Sequence, residues 1–141
     1  MLFPNKVKYR KWQTNRKNSK KLADKVETRG NKISFGDFGL KADGHVRLTS
    51  NQIESARKAI KRYVGKFGKV YIRVFPDRPV TRKAAEVGMG KGKGDPDHFC
   101  MEIFTGRILF EVVGVSEEIA REALRKGGTK LPVKTKIIKK R

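Results

Sequence analysis

Residues 49–76 constrain the fold more tightly than any other stretch. Thr49-Ser-Asn-Gln52 is a capping-box sequence. Its Thr can accept from the amide three residues on, while the Gln reaches back to the Thr amide. Behind it Ile53, Ala56, Ile60, Tyr63, Val64 and Phe67 recur at helical spacing and form one apolar face. Gly65 and Gly68 end the helix. Lys69 to Phe75 then alternates, which predicts a strand with Val70, Ile72 and Val74 on one face, stopped by Pro76.

The flanking chain supplies the partners. Residues 33–42 read as a strand with a glycine-marked bulge, followed by an Asp43-Gly44 turn and a short apolar run at 46–48. Residues 99–104 and 107–113 are apolar strands joined by Thr105-Gly106, which predicts a hairpin. Ser116 caps a second helix with Glu117 and Glu118 in its first turn and Arg125 and Lys126 in its last. Ile119, Ala120, Ala123 and Leu124 are expected to pack inward, Gly127-Gly128 to end the helix, and 132–138 to form a final strand. Helices follow antiparallel strands, so the expected class is α+β, one domain with a mixed or antiparallel sheet and two helices.

Around this scaffold the chain is strongly cationic. Its formal charge is +21, from 35 Lys+Arg against 14 Asp+Glu. A charge that large on 141 residues repels itself and calls for a polyanionic partner. A membrane surface is the weaker reading, because no apolar run is long enough to span a bilayer. Residues 1–32 interleave Lys6, Lys8, Arg10, Lys11, Arg16 and Lys17 with Tyr9 and Trp12, a pattern suited to phosphates and stacked bases. A solvated tail is the bland alternative. Pro4, Asn5, Asn15 and Asn18 break the amphipathic helix of a transit peptide, so this segment is read as a working, RNA-embedded arm. Arg57, Lys58, Lys61 and Arg62 lie opposite the apolar face of the first helix, with Glu54 as the acid among them. They are read as a phosphate-facing surface. Residues 77–97 lack apolar periodicity and carry Arg78, Arg82 and Lys83, so they are expected to form a long mobile loop. Within it Gly88 to Gly94 alternates glycine with Met89, Lys91 and Lys93, a cationic run that cannot bury itself.

Catalytic readings fail on spacing. The glycine-lysine run lacks the Gly spacing and the Ser/Thr of a nucleotide phosphate loop. Cys100 sits in an apolar run and reads as a small buried hydrophobe, with no ligand set for zinc. His45 and His98 have no partner arguable from spacing, and Glu102 and Glu111 are expected to pair with Arg107 and nearby lysines. No enzyme, cofactor or metal is expected.

Several motifs, in order, carry a resemblance: Met1-Leu2 with Pro4, Lys8-Tyr-Arg-Lys11, Phe35-Gly-Asp-Phe-Gly-Leu40, Leu48-Thr49 with Gln52-Ile-Glu54, Gly68 to Asp77, Met89 to Gly94, Phe99, and Lys130 to Lys136. Together they resemble the bacterial large-subunit ribosomal protein L-sixteen family, related to the archaeal and eukaryotic L-ten-e proteins. Gly88 stands where that pattern usually has Arg, and Tyr71 where Trp is common.

The resemblance implies an α/β-hammerhead domain at 33–138, with an arm at 1–32 and a basic tail at 139–141. It implies binding to 23S rRNA near the peptidyl-transferase region and the A and P tRNA sites, with neighbouring large-subunit proteins as further partners. Lys134 and Lys136 join the RNA-binding residues. Met89, Gly90, Lys91, Gly92, Lys93 and Gly94 become a tRNA-proximal loop that helps position tRNA and complete assembly. The expected place is a cytoplasmic, bacterial ribosome, with no homo-oligomer. A free-standing RNA-binding or chaperone module is the alternative.

Overall fold

The computed structural model describes residues 2–13 and 18–141. Its elements in order are α1 (Ser19–Ala23), β1 (Phe38–Ala42), β2 (Val46–Thr49), α2 (Ser50–Val64), β3 (Lys69–Ile72), β4 (Arg78–Arg82), β5 (Asp95–Ile103), β6 (Ile108–Val113), α3 (Glu117–Gly128) and β7 (Thr135–Lys139). The strands form two antiparallel sheets, one ordered β3-β6-β1-β7 and the other β2-β5-β4. The α+β expectation holds, with one short helix, α1, beyond the two that were read.

The capped helix forms as its sequence dictates. Gln52 Oε1 accepts from the Thr49 amide at 3.1 Å. Ile53, Ala56, Ile60 and Val64 are buried against the four-stranded sheet and α3. Two members of the expected face are not. The helix stops at Val64, where Gly65 turns to φ +76, so helical periodicity ends before Phe67, which is 94% exposed. Tyr63 lies at the rim with Lys126 Nζ 4.2 Å from its ring centre. In α3, Ala120, Ala123 and Leu124 are buried but Ile119 faces outward. Ser116 is the N-cap residue by position, though its hydroxyl makes no cap hydrogen bond.

Gly127 and Gly128 lie inside α3 rather than beyond it. A Cβ on Gly127 would come within 2.4 Å of Ile60, and one on Gly128 within 2.6 Å of Thr135. The helix does end at Gly128, and both glycines also allow close approach between α3 and its neighbours.

The hairpin expected from 99–104 and 107–113 does not form. β5 pairs with β2 and β4, whereas β6 pairs with β1 and β3. Gly106, at φ +100, donates its amide to Ala42 O at 2.8 Å and carries the chain from one sheet into the other. Each run is an interior strand of its own sheet: β6 is buried from Ile108 to Val112, whereas β5 buries Cys100 and Ile103. The hairpin partner of β5 is instead β4, inside the stretch expected to be a loop. β4 reads Arg-Pro-Val-Thr-Arg, and Pro79 is tolerated because β4 is an edge strand.

Candidate nucleic-acid interface

The β4–β5 hairpin projects the glycine-lysine run from its tip. Gly90, Lys91 and Gly92 have φ of +104, +55 and +89, and a Cβ on Gly88, Gly90 or Gly92 would meet no atom within 4 Å. The glycines at 90 and 92 therefore answer a backbone requirement, since positive φ is costly for other residues. Met89 is 97% exposed, and Lys91 and Lys93 lie in solvent. Gly94 is tighter, with a Cβ position 3.0 Å from Arg82 O.

The arm reaches this hairpin. Lys11 Nζ donates to Lys93 O at 3.1 Å and lies 3.8 Å from the Asp95 carboxylate. Trp12 packs its ring on the Arg78 guanidinium, 5.7 Å from ring centre to Cζ. Lys6, Lys8, Tyr9 and Arg10 are exposed, with Lys8 Nζ 5.5 Å from the Tyr9 ring centre. Arg16 and Lys17 lie outside the described residues.

The other expected contacts divide by whether their charge is already engaged. Arg78 is buried and bridges to Glu102 at 2.8 Å, with Arg47 on the same carboxylate at 3.5 Å. Arg57 grips Glu54 through two hydrogen bonds, and this pairing holds the Glu54 carboxyl below its ordinary value. Lys61 donates to Gly68 O at 2.9 Å and Lys83 to Gly90 O at 2.5 Å, so both also brace backbone turns. Lys58, Arg62, Arg82 and Lys134 are exposed. Lys136 is exposed with Asp43 at 3.1 Å.

The acidic residues are largely consumed within the chain, mostly by arginines: Glu27 by Arg107, Glu111 by Arg73, Glu117 by Arg121 and Glu122 by Arg125. Glu102 and Glu111 thus find partners other than the Arg107 and lysines expected from sequence, because they lie on different sheets. The surface left over is lysine-rich. One such surface, a recess of about 640 Å³ lined by Lys32, Lys41, Lys139, Lys140 and Arg141, joins the chain before β1 to the tail. The register of β7 against β1 sets Lys139 opposite Phe38 and so carries the basic tail alongside the chain before β1.

Cys100 is buried, and burial pushes its thiol up in pKa. His98 Nδ1 is 2.8 Å from Asp97 at the surface, and His45 stacks on Phe104. Among the described residues no group of His, Cys, Asp or Glu is placed to hold a metal ion, and no helix is long and apolar enough to cross a membrane.

A family model, ribosomal protein L16p/L10e, matches residues 4–138. The chain belongs to this family. The large ribosomal subunit protein uL16 of Halorhodospira halophila is 54% identical over 138 residues, covering 98% of this chain and 96% of that protein. The protein of the same name from Polaromonas naphthalenivorans is 51% identical over 138 residues, with the same coverage. The whole scaffold, including arm and hairpin loop, therefore falls within the family's span.

Proposed function

We propose that this chain is a structural constituent of the large subunit of a bacterial ribosome. It binds 23S rRNA near the peptidyl-transferase region, and its hairpin loop helps position tRNA and complete subunit assembly. Residues 1–32 act as the RNA-embedded arm and 33–138 as the domain that carries the loop. The observation that carries the reading is the joint geometry of arm and loop. Lys11 and Trp12 fasten to the hairpin that holds Met89, Lys91 and Lys93 out in solvent. Two cationic segments remote in sequence so become one surface, whose charge suits a phosphate backbone. Family membership gives that surface its setting.

Sedimentation of a tagged copy from a bacterial lysate tests the reading. Co-migration with large subunits is expected. A pool that stays free, or that follows messenger RNA, would favour a free-standing RNA-binding module.

A further inference from the structure

Glu111 is the one acid in the apolar run Ile-Leu-Phe-Glu-Val-Val, and it is completely buried. Its carboxylate accepts from three successive amides, Ser34 at 3.0 Å, Phe35 at 2.6 Å and Gly36 at 2.7 Å, and pairs with Arg73. Gly36 fits because a Cβ there would come within 2.8 Å of Val112 O. The segment 34–36 is thereby fixed to β6, an interior strand of the four-stranded sheet. What it holds in place is an exposed ring, Phe35, 62% accessible. Phe35 stacks on Tyr71, with centres 5.5 Å apart at 27°, and lies 5.2 Å from the Arg73 guanidinium carbon. Tyr71 and Arg73 share a strand face with exposed Lys69, while Val70 and Ile72 pack on the core.

We propose that Phe35, backed by Tyr71 and Arg73, is a stacking platform for one unpaired nucleobase of the RNA that this chain binds. The inference rests on the RNA-binding reading above. A ring anchored through its own backbone presents its exposed area with little conformational entropy left to lose. An aromatic face accepts any base, and Lys32 on the flanking chain and Lys69 on the Tyr71 strand face are exposed cations open to adjoining phosphates. Asp37 is the exposed carboxylate of the same loop. A protein partner would have to bury these two exposed lysines, which an RNA strand neutralises.

The test is base-reactive chemical probing of rRNA in large subunits rebuilt with the wild-type chain, Phe35→Ala, Phe35→Leu or Phe35→Trp. Leucine still covers the Glu111–Arg73 pair but has no π face, and tryptophan keeps the face. One nucleotide protected by wild type and Phe35→Trp is expected to become reactive with the other two. Affinity for the deproteinised rRNA should fall roughly five- to hundredfold with them. Equal melting temperatures for wild type and Phe35→Leu would show that the loss is not one of folding. Identical footprints and affinities across all four chains, with wild type still bound, would overturn the platform alone. Loss of a contact to a neighbouring protein, with no base exposed, would overturn it as well. A wild-type chain that protects no rRNA would overturn the RNA-binding reading itself.

Discussion

Two glycine-bearing loops of this molecule use glycine for opposite reasons. In the 33–37 loop, Gly36 is required by crowding: Val112 O and the Glu111 side chain leave no room for a Cβ. In the 88–94 loop, Gly90 and Gly92 stand in open space and are required by their positive φ. The first loop is held by a buried carboxylate with three amide donors and an arginine. The second is held at its base and flank, through Lys83, Gly94 and Lys11. One is part of the fold and the other is carried by it. Substitutions at the anchor of the first loop, Glu111 and Gly36, should therefore read out as stability, and those in the second loop as partner binding.

The largest expected effect is at Glu111. Glu111→Gln turns an amide NH₂ toward backbone donors and leaves Arg73 without its counter-charge. Breaking a buried pair in this way costs about 3–5 kcal/mol, seen as a large fall in melting temperature. A fall no larger than that of a surface variant would show that the carboxylate does not organise the loop.

The same residue sets the acid response. Burial opposes ionisation of Glu111, but hydrogen bonds from Ser34, Gly36, Phe35 and Arg73 outweigh it and hold the carboxyl below its ordinary value. A depressed carboxyl contributes its full stability above the unfolded value of about 4.3. That contribution is lost as pH falls through the lower folded value. The wild-type chain should thus lose stability steeply below about pH 4, and Glu111→Gln should lose less. Parallel acid limbs for the two would contradict the assignment.

Glycine substitutions sharpen the contrast. Gly36→Ala should destabilise by about 1–3 kcal/mol through overpacking against Val112. Gly90→Ala should cost about 1 kcal/mol, at the low end of that range, and only through its backbone angle. Chemical denaturation of both variants gives the order, and a Gly90 variant that costs more than the Gly36 variant would reverse the account.

The asymmetry also explains what the sequence made legible. Helix α2 could be read because its cap, its apolar period and its terminal glycine all lie within one short segment. The loop at 88–94 could be read because its composition alone denies it a core. β4 could not, since Pro79 and two arginines hide an edge strand that exists only through pairing with β5. The supposed hairpin failed for a related reason: an apolar run reveals a strand with a buried side but not which sheet it joins. The Glu111 anchor was hidden because its three amide donors lie more than seventy residues away. Its one local sign was an acid alone in an apolar strand. Arg78 and Arg57 were read as free cations because sequence counts charges without showing which carboxylates they meet.

The smallest stability effect, and the most direct test, is at the loop's lysines. Lys91→Ala with Lys93→Ala removes two exposed charges and should shift stability by less than about 0.5 kcal/mol. The decisive measurement is tRNA binding to purified large subunits that carry this double variant at wild-type occupancy. Our account predicts an unchanged melting temperature for the free protein, normal entry into subunits, and weaker tRNA binding. A variant that melts early while its subunits bind tRNA as wild type does would show that the loop belongs to the fold, and that its function lies elsewhere in the chain.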